Sequence, residues 1–170
     1  KINEKKVIPL LNKSLFIDIG TPKTFKKSHL VFKKHFYKPA AFFDRDGTIN
    51  VDYKYVHKIE NFHFNPGIIK LLKYLTKKNY YIFIVTNQAG IAKKKFKLSD
   101  FKNLHIKLKN IFLKNNIKIH DVIYCPYHPR ALIKKYKKNS GFRKPGNFMI
   151  ESLKRKWDID LKNSFFIGDQ

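Results

Sequence analysis

One short stretch limits what this chain can fold into more than any other: an apolar run at residues 40–43 that stops at two carboxylates, Asp44 and Asp46. The run is too short for a helix, and Gly47-Thr48 then turns the chain away. This pattern predicts a buried strand that presents acids at its C-terminal tip. Because open parallel α/β sheets bind ligands at the carboxyl ends of their strands, we expect the chemistry of this chain to take place there.

Two carboxylates spaced in this way at a strand tip suit phosphoryl transfer. One can attack a phosphorus atom while holding Mg2+, and the other can pass a proton to the leaving oxygen. The run Asp-x-Asp-Gly-Thr resembles the first motif of the haloacid dehalogenase (HAD) phosphohydrolases. The longer run from Phe43 to Asp52, with Tyr55-Val-His57 after it, resembles the heptose bisphosphate phosphatases of that superfamily. The resemblance implies that Asp44 is the nucleophile and Asp46 the general acid and base.

Three later segments resemble the remaining motifs of the superfamily, in the same order. They are Thr86-Asn87-Gln88-Ala89-Gly90, Arg143-Lys144-Pro145 and Gly168-Asp169. The resemblance implies that the Thr86 hydroxyl binds the transferring phosphoryl group and that the Lys144 ammonium neutralises its charge. Arg143 would grip the other anionic end of the substrate.

The same resemblance implies a Mg2+ site at the strand tips. Its protein ligands would be Asp44, the backbone oxygen of Asp46, and Asp169. A hard cation of this kind prefers oxygen ligands in octahedral geometry and keeps several waters.

A polar, aromatic-rich loop at residues 50–65 follows the catalytic strand, and a loop of this length there favours a substrate-facing role. The resemblance implies sugar contacts from residues 52–55, whereas the alternative is that Tyr53 and Tyr55 pack the loop down. His57 is expected to make a structural hydrogen bond. The full predicted substrate-binding set is Arg45, Asp52, Tyr53, Lys54, Tyr55, Thr86, Asn87, Gln88, Ala89, Arg143 and Lys144.

The chain departs from its resembled relatives at their structural zinc loop. The positions that match the four zinc ligands hold Cys125, Tyr127, Ser140 and Phe142. A structural zinc site needs four good donors, and one thiolate does not supply them even with His128 as a second ligand. We therefore expect Mg2+ but no zinc, with residues 129–141 either packed around Leu132, Ile133 and Tyr136 or mobile.

The formal net charge of +25 raises the hypothesis of nucleic-acid binding, since basic faces release counterions from phosphate backbones. Only four of the 37 basic residues are arginines, whose fork suits phosphates and bases. The lysines lie along nearly every segment beside abundant Asn, Ile, Phe and Tyr, which A+T-rich codons encode. We therefore expect no specific nucleic-acid partner, although a positive field would speed the approach of an anionic substrate.

The cysteine content and the short apolar runs of the sequence indicate its compartment. A single cysteine excludes an internal disulfide, and the longest apolar runs, such as residues 80–85, are far too short to span a membrane. The sequence shows no secretory signal pattern. These features favour a cytoplasmic protein without a membrane partner, and we expect a monomer.

Residues 1–39 are predicted to form an N-terminal extension, with the junction at Lys38-Pro39. Residues 15–22 predict a short strand that ends in a turn, and Thr21 is a suitable N-cap for a helix over residues 23–34 that starts with Pro22 in its first turn. This segment resembles the C-terminal end of sugar-phosphate nucleotidyltransferases, which implies fusion to an upstream enzyme. The alternative is an ordinary extension that packs against the domain.

Residues 40–170 are predicted to form the phosphatase domain. Apolar runs predict further strands at 80–85, 121–125 and 164–168. Periodic stretches predict helices after Pro66-Gly67, from a cap at Ser99 or Asp100 to about Asn115, and over 148–157, with a basic loop at 91–96 and a solvated His105. These elements predict a three-layer α/β domain, HAD-like and Rossmannoid, with a parallel sheet whose central strand is the first. Because the resembled superfamily usually continues with a further helix and strand, we expect a truncated C-terminus.

The resemblance implies a Mg2+-dependent phosphatase that acts on a phosphorylated heptose through an aspartyl-phosphate, in nucleotide-activated heptose biosynthesis for lipopolysaccharide or surface glycans. Histidinol-phosphate phosphatases share the same motifs and are the nearest enzymatic alternative. A non-catalytic HAD-like domain that only binds a sugar, nucleic acid or protein is the alternative from another class.

Overall fold

The computed structural model describes residues 15–169, and the chain divides into two compact units between His35 and Phe36. The division precedes the predicted boundary after residue 39, because the first strand already begins at Lys38. The helices are α1 (Pro22–Phe36), α2 (Ile68–Lys77), α3 (Ala89–Ala92), α4 (Leu98–Lys114) and α5 (Phe148–Lys156). The strands are β1 (Lys38–Phe43), β2 (Tyr81–Asn87), β3 (Asp121–Cys125) and β4 (Ile159–Ile167), and single 3-10 turns lie at Ile59–Asn61 and Lys134–Tyr136.

The four described strands form one parallel sheet in the order β3-β2-β1-β4. Phe42 of β1 lies opposite Phe83 of β2 on one side and Phe166 of β4 on the other. The predicted parallel sheet with an interior first strand is therefore confirmed. Parallel strands end at the same edge, so the residues that follow β1, β2 and β4 are brought together there.

Alternating side chains of β1 and β2 enter two separate cores. Ala41 and Phe43 pack on one face against the buried stripes of α2 and α4, whereas Ala40 and Phe42 pack on the other face against α5. The inward residues of the helices are Leu72, Leu75, Leu104, Leu108, Phe112, Met149 and Leu153. This arrangement gives the three predicted layers, and burial of each such side chain contributes about 1.5–3 kcal/mol.

The strand β4 starts earlier than predicted because it contains an irregularity. Its register against β1 shifts between Pro39 and Ala41. There Ser164 Oγ accepts a hydrogen bond from the Ala40 amide at 2.8 Å and donates one to the Asp160 carbonyl at 2.6 Å. A side chain thus replaces a backbone partner, and the pairing continues at both ends of the bulge.

The predicted strand at residues 15–22 is wrong, because residues 15–19 are in no regular element. Asp18 Oδ1 instead accepts a hydrogen bond from the Gly20 amide, so the local side chain provides the turn. The predicted cap of α1 is confirmed: Thr21 Oγ1 accepts from the Thr24 amide and Thr24 Oγ1 accepts from the Thr21 amide, each at 3.1 Å.

Two details between β2 and β3 differ from the sequence predictions. Part of the predicted basic loop at 91–96 is the end of the short helix α3. The helix α4 is capped by Lys97 rather than by Ser99 or Asp100. Asp100 lies in the first turn and accepts a hydrogen bond from the Lys97 amide at 2.7 Å, because a carboxylate there can reach back to the cap.

His105 is not the solvated residue that its lysine-rich surroundings suggest. Its ring lies 4.3 Å from the ring of Phe101, and Nε2 is buried without a hydrogen-bond partner among the described residues. Burial, with a smaller effect of the Arg45 charge, lowers the pKa of His105 to about 3. The helical period places it at the edge of the buried stripe, where neighbouring lysines do not prevent burial.

Acid is expected to destabilise the fold through His105. A histidine whose pKa is lower in the folded state stabilises the protein above its unfolded pKa of about 6.5, and this contribution is lost as the pH falls toward the folded value. The free energy of unfolding of the wild type should therefore fall by about 2 kcal/mol more than that of His105→Gln between pH 7 and pH 5. Urea titrations at both pH values measure this, and parallel losses in the two proteins would contradict it.

In the segment after β3, aromatic and basic side chains pack against one another. Lys138 Nζ lies 4.0 Å above the Tyr127 ring, whose centroid is 6.2 Å from that of Tyr136. Tyr136 packs as predicted, whereas Leu132 is 68% exposed. Burial raises the pKa of the Cys125 thiol, which disfavours the thiolate that zinc would require. The absence of zinc remains a prediction.

None of the helices between residues 15 and 169 has the length and hydropathy needed to cross a bilayer.

Candidate active site

The strand tips bring residues of three predicted motifs to one edge of the sheet. Asp44 directly follows β1, and its amide donates to the Ile167 carbonyl of β4 at 2.9 Å. Asn87 ends β2, and Lys144 reaches the same place from the loop before α5. Asp44, Asn87, Lys144 and Phe166 line a cavity of about 460 Å3.

Asp44 is paired with a cation at this edge. Its Oδ2 contacts the Lys144 ammonium, and its Oδ1 accepts from the Arg45 amide at 2.7 Å. Burial raises the pKa of the Asp44 carboxyl, and the hydrogen bond and charge of Lys144 oppose that rise. With 17% of its side chain exposed, Asp44 is shielded yet reachable from the cavity, as an attacking carboxylate must be.

Lys144 is held by its backbone as well as by its charge. Asn87 Oδ1 accepts from the Lys144 amide at 3.0 Å, and Asn87 Nδ2 donates to the Lys144 carbonyl at 3.3 Å. The ammonium also lies 5.4 Å from the centroid of the Phe166 ring. Asn87, predicted to contact substrate, therefore also positions the cation that faces Asp44.

Asp46 is held in a polar network of side-chain donors. Arg45 Nη2 donates to both of its carboxylate oxygens at 2.8 Å, and Gln88 Nε2 donates to Oδ2 at 2.9 Å. Asn50 Nδ2 donates to Oδ1 at 3.2 Å. These donors fix the carboxylate orientation, which a proton-transferring group requires.

Three of the predicted substrate-binding residues, Arg45, Thr86 and Gln88, have buried side chains. Arg45 is fully buried, Thr86 is 1% exposed and Gln88 is 3% exposed. Gln88 Nε2 donates to Thr86 Oγ1 at 2.9 Å, and Arg45 Nη2 donates to the Val56 carbonyl at 2.7 Å. The side chains of Arg45 and Gln88 thus support Asp46, and the predicted contacts of Arg45, Thr86 and Gln88 with substrate remain predictions.

The remaining predicted residues surround the site. Ala89 begins α3, directly beyond the tip of β2. Arg143 Nη1 is buried and has no hydrogen-bond partner among the described residues, so a guanidinium donor remains available. In the 50–65 loop, Asp52 Oδ1 accepts from the Lys54 amide at 2.8 Å and the Tyr53 side chain is 59% exposed.

Asp169 lies against the turn that follows the two acids. Gly47 has a φ of +83°, and a Cβ built on it would lie 2.2 Å from Asp169 Oδ2. A side chain at residue 47 would fill the place that the carboxylate occupies, so glycine is required for both conformation and space.

The oxygen donors at this edge fit Mg2+. Within residues 15–169, no three side chains of His, Cys, Asp or Glu are grouped to hold a metal ion. The predicted set requires only two carboxylates, Asp44 and Asp169, with the backbone oxygen of Asp46. Hard oxygen donors of this kind, with waters completing the shell, match the preference of Mg2+.

Comparison with solved structures gives the fold independently. A HAD-like phosphatase from Mesorhizobium loti superposes with a TM-score of 0.74 and 28% identity, over 79% of this chain and 64% of that chain. The D,D-heptose 1,7-bisphosphate phosphatase of B. bronchiseptica, solved with magnesium and phosphate, gives a TM-score of 0.69 at 24% identity, over 78% of this chain and 70% of that chain. Because the identity to this second structure is only 24%, the similarity supports the fold and no further conclusion.

Curated relatives are more similar in sequence. The D-glycero-alpha-D-manno-heptose-1,7-bisphosphate 7-phosphatase of Campylobacter jejuni is 44% identical over 130 residues, which cover 76% of this chain and 70% of that protein. The D-glycero-beta-D-manno-heptose-1,7-bisphosphate 7-phosphatase of Escherichia coli K12 is 37% identical over 132 residues, or 78% and 69%. The profile of the polynucleotide kinase 3 phosphatase family matches residues 39–170.

A parallel sheet with a lysine-paired aspartate at its carboxyl edge, together with these relatives, defines a phosphoric monoester hydrolase of the HAD type. Within that class, the chain belongs to the polynucleotide kinase 3 phosphatase family, whose profile matches residues 39–170.

Sequence reasoning missed several residues that shape the site. Asn50 is fully buried, and its backbone amide donates to the Arg45 carbonyl at 3.1 Å. The Phe166 ring lies close to the Lys144 ammonium, and the Val56 carbonyl accepts a hydrogen bond from Arg45. An Asn directly after Gly-Thr-Ile is a signal for a turn, which identifies Asn50 as structural but does not reveal Asp46 as its partner.

Proposed function

We propose that this chain removes the 7-phosphate of D-glycero-D-manno-heptose 1,7-bisphosphate in a Mg2+-dependent reaction. The observation that carries the proposal is the Asp44–Lys144 pair at the cavity, in a chain that is 44% identical to a heptose bisphosphate phosphatase. The reaction fits a cytoplasmic step ahead of nucleotide activation of the heptose, in the biosynthesis of lipopolysaccharide or surface glycans. We expect the acting species to be a monomer.

The first half of the mechanism is transfer of the phosphoryl group to Asp44. An oxygen of Asp44 attacks phosphorus in line, the bond from phosphorus to the sugar oxygen breaks, and Asp46 gives that oxygen its proton. Lys144 offsets the negative charge shared by the carboxylate and the phosphoryl oxygens. Mg2+ held by Asp44, the Asp46 backbone oxygen and Asp169 supplies further charge neutralisation when bound.

The second half is hydrolysis of the aspartyl-phosphate. Asp46, now a carboxylate, takes a proton from water as that water attacks phosphorus. The bond between phosphorus and Asp44 breaks, inorganic phosphate leaves, and both carboxylates return to their starting state. The hydrogen bonds from Arg45, Gln88 and Asn50 hold Asp46 in one place through both halves.

Substrate comparison tests this proposal. With Mg2+ present, kcat/KM for the heptose 1,7-bisphosphate should exceed that for histidinol phosphate and for a DNA oligonucleotide with a 3′-phosphate by about 10^2-fold or more, since only the heptose offers Arg143 a second phosphomonoester on the same small sugar. Both anomers are assayed, because the curated relatives differ in this respect. A preference for histidinol phosphate or the oligonucleotide would refute the assigned substrate and leave the phosphatase class intact.

A further inference from the structure

The short helix α3 carries a glycine that two aromatic rings approach closely. A Cβ built on Gly90 would lie 2.3 Å from Cε1 of Phe96 and 2.8 Å from Cδ1 of Tyr55. Both distances are below ordinary contact, so any other residue would displace at least one ring. Gly90 is buried and directly follows Ala89, close to the tip of β2.

Phe96 extends this contact to a second aromatic residue of the 50–65 loop. Its side chain is 7% exposed, and its ring stacks on the His57 ring with centroids 5.0 Å apart and an interplanar angle of 8°. His57 Nδ1 is 2.7 Å from the Tyr55 carbonyl oxygen. We call Gly90, Phe96 and the His57 ring the aromatic platform.

The backbone above the aromatic platform needs such support. Lys54 and Tyr55 have φ values of +60° and +58°, a left-handed conformation that non-glycine residues adopt at a cost. Two consecutive residues in that region persist only where surrounding contacts hold them. For Tyr55, those contacts are the close approach of its ring to Gly90 and the hydrogen-bond distance from its carbonyl to His57.

The other end of the same turn is tied to the site. The Val56 carbonyl accepts from Arg45, whose guanidinium also binds Asp46. Residues 52–54 therefore project from a turn that is held on one side by the aromatic platform and on the other by Arg45. Their exposed side chains, including Tyr53, are left facing outward for contact with a ligand.

We propose that the aromatic platform consists of positioning residues for substrate affinity, which hold residues 52–55 in the conformation that contacts the sugar. This inference rests on the proposed function. It gives Gly90, Phe96 and His57 no part in phosphoryl transfer, because they contact each other and Tyr55 rather than Asp44 or Lys144. A substitution in the aromatic platform should therefore weaken binding of the sugar and leave the rate of phosphoryl transfer unchanged.

The test compares two substrates in two variants. In Gly90→Ala and Phe96→Leu, KM for the heptose bisphosphate should rise about tenfold, whereas kcat/KM for p-nitrophenyl phosphate, which has no sugar, should stay within about twofold of the wild type. Phe112→Leu is the matched control, since Phe112 is also a buried phenylalanine (3% exposed), packs in the core with α2 and α4, and makes its ring contact with the 50–65 loop at Phe64, outside residues 52–57. It should change neither value by more than about twofold.

A second readout does not depend on the substrate. Hydrogen exchange of the amides of residues 52–57, followed by mass spectrometry, should be faster by about tenfold or more in both variants than in the wild type and in Phe112→Leu. An unchanged KM for the sugar, an equal loss with both substrates, or unchanged exchange would overturn the proposal. If the wild type hydrolyses p-nitrophenyl phosphate but not the sugar, the proposed substrate fails, and the exchange rates alone decide the role of the aromatic platform.

Discussion

Asp44→Asn is expected to lower kcat with the heptose bisphosphate by on the order of 10^4-fold or more, because an amide does not supply the attacking oxygen anion. The protein should stay folded. Burial raises the pKa of the Asp44 carboxyl, so its charge is already costly in place, and the isosteric amide leaves the volume unchanged. Lys144, with 21% of its side chain exposed, keeps contact with water. Initial rates with Mg2+ and a melting curve measure both expectations.

Asp121→Asn is a matched control for this experiment. Asp121 pairs with Lys156 at 2.6 Å at the beginning of β3, the strand end opposite to the active site. Its replacement should leave kcat within about twofold of the wild type, since the pair lies at the other end of the strand and Lys156 is 63% exposed. Undiminished turnover in Asp44→Asn would remove Asp44 as the nucleophile, and the proposed mechanism with it.

Arg45→Met is expected to lower the free energy of unfolding by about 3–5 kcal/mol, the usual effect of removing one partner of a buried ion pair. Arg45 is fully buried and donates to both oxygens of Asp46 and to the Val56 carbonyl. Methionine fills much of the volume, so the loss comes from an Asp46 charge without its cation and a Val56 carbonyl without its Arg45 donor rather than from a cavity. Urea-induced unfolding measures it.

Two further variants sharpen this expectation. Arg45→Lys keeps the charge but loses the planar fork, so it should recover less than half of the lost free energy. Arg130→Met, in which the replaced arginine is exposed, should change the free energy of unfolding by no more than about 0.5 kcal/mol. A loss below about 1 kcal/mol in Arg45→Met would show that the network around Asp46 does not depend on the guanidinium.

Apolar runs in the sequence were sufficient to predict the sheet and the position of Asp44 at its edge, whereas the meeting of Asp44 with Lys144 was implied by the resemblance of Arg143-Lys144-Pro145 to a motif of the HAD superfamily. An apolar run that ends in a polar residue identifies a strand tip, and parallel strands place their tips at one edge. The partners of Arg45 and Gln88 were not predictable in this way. Side-chain direction at a turn depends on contacts across long sequence distances, such as that from Gln88 to Asp46.

Other differences arise from local rules that tertiary contacts override. Residues 15–19 have the composition of a strand, yet Asp18 provides a local turn through its own carboxylate. His105 has lysine neighbours in sequence but lies against Phe101 in space. Composition describes the neighbours along the chain, whereas burial depends on the face of the helix that a residue occupies.

Arg45 donates hydrogen bonds both to the Val56 carbonyl and to Asp46. Ligand binding at the turn and protonation of Asp46 are therefore thermodynamically coupled. A ligand that draws the turn away from the guanidinium must also loosen the proton donor, and a change in the protonation of that donor must alter affinity for the ligand by the same factor. Under the proposed function, sugar recognition and readiness for proton transfer are therefore linked through a single side chain.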